Sequence, residues 1–158
     1  MSGTSLDGVD LAYCLFTEHL GNWSFRIENA ETIVYTQSWK DKLYQAPALN
    51  GFDFVVLHRE YGKFLGNLIK EYIHKHHLLP ELIASHGHTV FHQPSKGITY
   101  QIGSGAEIAA CCGISVVCDF RSTDAALGGQ GAPLVPVGDK LLFGKYDFCL
   151  NLGGFANI

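Results

Sequence analysis

The residues best suited to chemistry stand at the start of the chain, directly before an apolar run that predicts a strand over residues 9–17. They combine glycines, hydroxyl groups and a carboxylate: Gly3, Thr4, Ser5, Asp7 and Gly8. Small residues let a backbone approach a ligand, hydroxyl and N–H groups donate to an anion, and a carboxylate can hold a metal through water. The stretch is a candidate phosphate-binding turn, although an ordinary hairpin turn has a similar composition. It is not a P-loop, because no Gly-Lys-Ser/Thr follows and no helix begins there.

A second candidate group holds three histidines within seven residues, His86, His88 and His92, beyond the end of a predicted strand. Zinc is one interpretation, but the spacing lacks a helical i, i+4 pair and no cysteine is nearby. The favoured interpretation is a hydrogen bond from a histidine to a substrate or within the protein. An exposed loop is the third alternative.

Two further segments place polar or glycine-rich residues beyond predicted strand ends. Asp119 and Arg121 combine a carboxylate and a guanidinium, which can orient a polar substrate or form a salt bridge. Residues 128–136 are rich in glycine and proline, and such control of the backbone favours a ligand-side loop.

Gly103 and Gly105 open a predicted helix, as the glycines of a dinucleotide-binding fingerprint do. The third glycine and a correctly spaced acidic residue are absent, so we interpret them as a glycine-rich helix start.

Hydrophobic periodicity predicts the elements that must position these residues. Strands are predicted over 9–17, 22–36, 81–85, 98–102, 114–118 and 146–151, and helices over 52–77, 104–112 and 133–143. The first two strands are expected to pair antiparallel, residues 37–51 to form a short helical turn and then loop, and residues 122–132 to form a glycine-rich loop. Gly62 and Gly66 lie inside the long helix and indicate a close crossing with another element. This order favours a mixed sheet with helices on its faces, and ligands of such folds bind beyond the carboxyl ends of strands, where the candidates cluster.

Size and composition narrow the class of protein. A chain of 158 residues favours one domain, and a net charge of −4 gives no basic surface for nucleic acid or an anionic membrane. No apolar run approaches the roughly 18 residues that cross a bilayer, and residues 1–16 lack the basic start of a signal peptide. Five cysteines scattered through apolar segments favour reduced thiols in a cytoplasmic protein. The opening turn has no strand before it and the chain stops just after a glycine pair, so we expect a fragment truncated at both ends.

Six segments, in order along the whole chain, resemble the anhydro-N-acetylmuramic acid kinases. They are MSGTSLDGVD at 1–10, SHGHT at 85–89, QIG at 101–103, VCDFR at 117–121, GGQGAPLVP at 128–136 and LNLGG at 150–154. The resemblance implies an α/β, ribonuclease-H-like lobe of the actin/hexokinase/Hsp70 superfamily, with a mixed five-stranded sheet and helices on both faces. Residues 1–158 would then form the N-terminal lobe of a longer, two-lobe kinase.

The resemblance also implies a reaction. ATP phosphorylates 1,6-anhydro-N-acetylmuramic acid while water opens the anhydro bridge, which gives N-acetylmuramic acid 6-phosphate during peptidoglycan recycling. The implied cofactors are ATP and Mg²⁺, and the implied partner is the small sugar, with no nucleic acid, no membrane and a homodimer as an option for the full-length form. One rival is a nucleotide-binding scaffold of the actin/Hsp70 type that acts through a protein partner. Another is a zinc hydrolase that uses the three histidines.

Site residues follow from the resemblance position by position. Those implied to bind ATP are Gly3, Thr4, Ser5, Leu6, Asp7, Gly8, Val9, Asp10, Gly153 and Gly154. His86, Asp119 and Arg121 are implied to bind the sugar, and Asp7 to lie beside Mg²⁺. The catalytic aspartate of the family is expected beyond residue 158, so none is assigned here and the chain alone is expected to be inactive. Many family members carry Gln at the position of His88, and basic residues where Ser122 and Thr123 stand.

Overall fold

The structure is a computed structural model that describes residues 6–152 and 156–158. Its strands are β1 (Gly8–His19), β2 (Asn22–Val34), β3 (Ile83–Ser85), β4 (His88–Gln93), β5 (Ile98–Ile102), β6 (Val116–Cys118), β7 (Asn151–Leu152) and β8 (Ala156–Asn157). Its helices are α1 (Gln37–Gln45), α2 (Gly51–Lys75), α3 (Gly105–Cys112), α4 (Ser122–Ala126) and α5 (Val135–Leu142). The fold is therefore mixed α/β, as predicted. Among the helices of the described ranges, none has both the length and the apolar character needed to cross a bilayer.

Strands β1 and β2 form a long antiparallel hairpin, as the predicted strands over 9–17 and 22–36 require. Leu20 and Gly21 make its turn, and both have positive φ, 50° and 81°. Positive φ at both central residues gives a turn whose twist matches that of the two strands. The base of the hairpin is buried at Val9, whereas its far half exposes large apolar side chains. These are Leu15, Phe16, Trp23, Phe25 and Ile27.

Helix α2 forms the centre of the hydrophobic core. Asn50 caps its first turn by accepting a hydrogen bond from the N–H of Asp53 over 3.0 Å. Its buried face carries Leu57, Tyr61 and Leu65 at helical spacing. Burial of such a side chain contributes about 1.5–3 kcal/mol, which explains why a 25-residue helix forms where the apolar residues recur with that period.

Two glycines of α2 allow helix α3 to cross it closely, as the sequence predicts. A Cβ atom at Gly62 would stand 2.6 Å from the backbone nitrogen of Ser104, and one at Gly66 would stand 2.7 Å from the Cβ of Cys111. Both distances are shorter than atoms tolerate, so only glycine fits at this crossing. Ser104 also caps α3, since its hydroxyl accepts from the N–H of Glu107.

The remaining strands pair two by two. Strands β3 and β6 are parallel, with Ile83 opposite Val116 and Ser85 opposite Cys118, while β4 and β5 are antiparallel. Within the described residues each sheet has two strands, so the single five-stranded sheet stays a prediction. Because Ser85 and Cys118 end neighbouring parallel strands, the chain leaves both at the same edge, where residues 86 and 119 begin.

Three local predictions need correction. The segment around His92 is not a loop, because residues 88–93 form β4 and pair with the predicted strand β5. The glycine-rich loop over 122–132 begins with the short helix α4. Residues 146–150 lie outside any strand, and only Asn151 of the predicted strand 146–151 is in one. The short helical turn predicted within residues 37–51 is the nine-residue helix α1, which begins after the Thr36 cap and buries Leu43.

Candidate functional site

His86 and Arg121 lie in direct contact at the carboxyl edge of the β3–β6 pair. The Nε of Arg121 donates to Nε2 of His86 over 2.9 Å, and its Nη1 donates to the carbonyl oxygen of Gly131 over 2.6 Å. These two bonds fix the plane of the guanidinium, and neither uses its Nη2 group. Burial lowers the pKa of Arg121, but a guanidinium stays charged at neutral pH. The site therefore contains an oriented, partly buried positive charge.

The hydrogen bonds of His86 assign its tautomer. Its Nδ1 lies 3.0 Å from the carbonyl oxygen of Gly87, so Nδ1 carries the proton and Nε2 keeps the lone pair that accepts from Arg121. Burial is the main cause that lowers the pKa of His86, and the charge of Arg121 lowers it further, while the bond to Gly87 opposes them. His86 is therefore neutral at pH 7. Both ring nitrogens are engaged within the protein, so in this arrangement His86 positions Arg121.

The glycine-rich segment after α4 is held in place by Asp124. Its carboxylate accepts from the N–H of Gly131 over 2.7 Å, and its carbonyl oxygen accepts from the N–H of Gly129 over 2.8 Å. Gly131 has φ of 66°, and a Cβ there would stand 3.2 Å from the Cγ2 of Thr99. Glycine is thus favoured by the backbone conformation, and a larger residue would press against Thr99. The result is a carbonyl oxygen presented to Arg121.

Asp119 is placed beside the cluster without pairing with Arg121. It is exposed and has φ of 57°, and its Oδ1 accepts from the N–H of Ser122, the first residue of α4, over 3.2 Å. The salt bridges that the described residues form do not include one between Asp119 and Arg121. The salt-bridge interpretation of this pair is therefore wrong for this structure, and the carboxylate of Asp119 stays at the surface.

The hairpin β4–β5 adds a polar surface that sequence reasoning missed. Thr99 is buried, and its hydroxyl accepts from Gln101 Nε2 over 3.0 Å, while Gln101 also reaches Thr89 over 3.4 Å. His92 Nδ1 lies 3.4 Å from the same hydroxyl. Because Thr99 packs against Gly131, this ladder supports the loop that holds Arg121. The sequence signal for this surface was the alternation of Thr99 and Gln101 with apolar residues in the predicted strand 98–102, which places both polar side chains on one face of the strand.

Half of the residues implied to bind ATP fall outside the described ranges. These are Gly3, Thr4, Ser5, Gly153 and Gly154. The structure therefore describes the candidate phosphate-binding turn only from residue 6 onwards.

The described part of that segment combines strand pairing with an exposed carboxylate. Leu6 has φ of 57°, and Asp7 is exposed while its carbonyl oxygen accepts from the N–H of Tyr35 over 3.2 Å. A Cβ at Gly8 would collide with the backbone of β2, so this glycine is required by the hairpin itself. The side chain of Val9 is buried in the core, and Asp10 accepts from Thr32 Oγ1 over 2.6 Å. Any ligand contact of Val9 is thus left to its backbone.

The positions of the described side chains bear on which metal ions the chain could hold. Across residues 6–152 and 156–158, no three His, Cys, Asp or Glu side chains lie close enough together to hold a metal ion. The zinc interpretation of His86, His88 and His92 therefore gains no support from the structure. Magnesium has different needs, since it keeps several waters and takes one or two carboxylates together with substrate phosphates. The exposed carboxylate of Asp7 fits that requirement.

Comparison with known proteins identifies the family. A sequence profile of the anhydro-N-acetylmuramic acid kinases matches residues 1–158. Proteins named anhydro-N-acetylmuramic acid kinase are 35% identical in Pseudoalteromonas translucida, 38% in Synechococcus elongatus and 39% in Shewanella loihica. Each alignment covers 100% of this chain but only 44–45% of the relative. The chain therefore belongs to the anhydro-N-acetylmuramic acid kinase family and spans less than half the length of these relatives.

Proposed function

We propose that this chain is the N-terminal lobe of an ATP-dependent sugar kinase of peptidoglycan recycling. The reaction consumes ATP, water and 1,6-anhydro-N-acetylmuramic acid and gives ADP and N-acetylmuramic acid 6-phosphate. The observation that carries this proposal is the family match over the whole chain. The oriented charge of Arg121 supports it independently, since the substrate is an anionic sugar.

Arg121, His86 and Asp119 form the sugar-binding side of the proposed site. The lactyl group of the substrate carries a carboxylate, and an oriented guanidinium is the side chain best suited to bind one. His86 holds the guanidinium in that orientation over 2.9 Å, so its contribution to sugar binding passes through Arg121. The exposed carboxylate of Asp119 is an acceptor for a sugar hydroxyl or for the N–H of the acetamido group.

ATP would bind along residues 3–10 and at Gly153 and Gly154. Phosphoryl transfer depends on positioning and charge neutralisation more than on covalent protein chemistry, and glycine-rich backbone with nearby hydroxyls can supply both. Asp7 would hold Mg²⁺ through its exposed carboxylate. The aspartate that activates water is expected beyond residue 158, so residues 1–158 alone would not turn over substrate.

The proposed architecture is a ribonuclease-H-like lobe with a five-stranded mixed sheet, in a cytoplasmic protein of two lobes. The parallel β3–β6 pair and the antiparallel β1–β2 pair support it, since a mixed sheet of this kind contains both. A dimer of the full-length form is part of the same proposal. Lobe closure would exclude bulk water while admitting the one water that opens the anhydro bridge.

The full-length protein provides the test. ADP release should require the anhydro sugar, and mass spectrometry should show a product heavier than the substrate by one phosphoryl group (HPO₃) and one water. ADP release that is independent of the sugar and rises with a protein partner would favour the actin/Hsp70-type scaffold instead. Absence of any sugar-dependent ATP consumption in the full-length protein would reject the kinase.

A further inference from the structure

The side chains of one helical turn hold Gly131 by both of its backbone groups. Arg121 directly precedes α4 and Asp124 is the third residue of that helix, so the two side chains stand three residues apart on one turn. The Oδ2 of Asp124 accepts from the N–H of Gly131 over 2.7 Å, and Nη1 of Arg121 donates to its carbonyl oxygen over 2.6 Å. Gly131 therefore connects a carboxylate and a guanidinium that, among the described residues, form no salt bridge with each other.

The guanidinium of Arg121 depends on two acceptors that are placed in different ways. His86 directly follows the end of strand β3, whereas the carbonyl oxygen of Gly131 belongs to a loop. Gly128 and Gly131 have φ of 88° and 66°, and glycine leaves the backbone of such a loop a wide choice of conformations. A loop of this kind presents a carbonyl oxygen in one place only where other contacts hold it there.

Asp124 supplies two of the contacts that hold this loop. Besides the bond from its carboxylate to Gly131, its own carbonyl oxygen accepts from the N–H of Gly129 over 2.8 Å. Thr99 packs against Gly131 from β5, but packing alone does not fix the direction of a carbonyl group. Asp124 is exposed, so its side chain can be replaced without removing any packing of the hydrophobic core.

We propose that Asp124 is a positioning residue of the sugar site, which acts on the substrate carboxylate through Gly131 and Arg121 and touches no substrate atom. This inference rests on the sugar kinase function proposed above. Without the carboxylate of Asp124 the N–H of Gly131 loses its acceptor, and the guanidinium keeps only its bond to His86, about which it can turn. The freedom that Arg121 gains must be lost again when the substrate binds, which weakens binding.

The effect falls on sugar binding rather than on phosphoryl transfer. The lactyl group that carries the substrate carboxylate is attached away from the anhydro bridge that opens, so its contact with Arg121 stays the same before and during the reaction. Loss of such uniform binding raises KM and leaves kcat unchanged. The charge of Asp124 is not needed for this role, because an uncharged oxygen in the same place accepts the same bond from Gly131.

Steady-state kinetics of the full-length protein tests the role of Asp124. Asp124→Ala should raise the KM for the anhydro sugar about tenfold, with kcat and the KM for ATP within about twofold of the wild type. Asp124→Asn should stay within about twofold in all three constants, because its Oδ1 replaces the lost acceptor. Asp41→Ala is the matched control, since this exposed carboxylate accepts from Gln37 on the surface of α1 and should leave all three constants unchanged.

Three kinetic results would overturn the proposal. The first is a wild-type KM for the sugar in Asp124→Ala, and the second is a parallel rise in the KM for ATP, which indicates a general loss of structure. The third is a loss in Asp124→Asn with activity kept in Asp124→Glu, because the charge itself would then be required, as stabilisation of the first turn of α4 requires it. Asn and Glu both keep a polar side chain at this exposed position, so their comparison does not depend on the folding of the alanine variant.

A double-mutant cycle shows whether the effect passes through Arg121. In an Arg121→Ala background, Asp124→Ala should change kcat/KM for the sugar by less than about twofold, since the guanidinium that it positions is gone. A further tenfold loss would show that the two residues act independently and would overturn the proposal. Absence of sugar-dependent ADP release in the wild type would reject the proposed function and this inference with it, whereas an active wild type with an unaffected Asp124→Ala variant rejects this inference alone.

Discussion

In the proposed sugar site, Arg121 is already held in place by contacts within the protein. Two of its nitrogens are fixed by His86 and Gly131, so the guanidinium does not lose rotamer freedom when a ligand arrives. Lysine would keep the charge but lacks the planar group that makes both contacts. The proposed role of this position therefore depends on geometry as well as on charge.

Replacing Arg121 by lysine in the full-length protein should lower kcat/KM for the anhydro sugar by about 10- to 100-fold. A hydrogen bond to a charged group contributes about 1.5–3 kcal/mol, and about 1.4 kcal/mol corresponds to a factor of ten. Steady-state kinetics with saturating ATP measures the effect. The matched control is Arg59→Lys, because Arg59 pairs with Glu107 at the surface and should leave kcat/KM within about twofold. Wild-type kcat/KM in the Arg121 variant would remove this residue from the sugar site.

At the scale of elements, sequence reasoning succeeded where a local pattern determines the structure. The hairpin β1–β2 follows from alternation and a turn that contains Gly21, and α2 follows from apolar residues at helical spacing. Gly62 and Gly66 are unfavourable for a helix by propensity, which is why their presence predicted a close crossing. The sequence also placed His86 and Arg121 beyond the ends of two strands whose carboxyl ends were expected to converge, and the structure brings the two side chains into contact.

The elements that were missed depend on contacts between distant residues. Strand β4 begins with a buried histidine and contains a register shift near Thr89, so its sequence lacks the alternation of a regular strand. It is stabilised by pairing with β5. The predicted strand 146–151 has suitable residues but lacks such a partner over 146–150 within the described ranges, and Phe148 is 80% exposed. The contact between Arg121 and Gly131 likewise requires a loop conformation that no local pattern shows.

Substituting Gly66 by alanine should destabilise the protein by about 1–3 kcal/mol, although alanine is the better helix former. The new methyl group would stand 2.7 Å from the Cβ of Cys111 and 3.2 Å from the Cα of Ile108, which forces α2 and α3 apart. Urea unfolding measures the change. Gly138→Ala is the control, because among the described residues no atom outside the neighbouring backbone of α5 lies within 4 Å of a Cβ placed there, and the substitution should stabilise by up to about 1 kcal/mol. If both variants gain stability equally, the crossing is looser than the structure indicates.

At the scale of the whole molecule, three buried or partly buried histidines should couple folding to pH: His58 in α2, His86 between β3 and β4, and His88 at the start of β4. Burial lowers the pKa of His58, His86 and His88 below the ordinary value of 6.5. His58 and His86 also use an unprotonated ring nitrogen, since Nδ1 of His58 accepts from the N–H of Gly103 over 3.3 Å and Nε2 of His86 accepts from Arg121. In the unfolded chain the same rings bind protons below about pH 6.5.

The free energy of unfolding should therefore be highest above pH 6.5 and fall as the pH decreases below it, until the lowered pKa values of the folded state are reached. The unfolded state binds more protons in that window, and each histidine contributes a slope of at most about 1.4 kcal/mol per pH unit. The double variant His58→Gln, His88→Gln should flatten the slope between pH 6.5 and 5, since glutamine keeps a hydrogen-bond acceptor and does not titrate. Urea unfolding of the full-length protein at several pH values measures it, with the exposed His19→Gln as the matched control. A slope unchanged in the double variant would mean that these two rings take up protons as readily in the folded protein as in the unfolded chain, and that the buried polar groups around them rearrange to admit the charge.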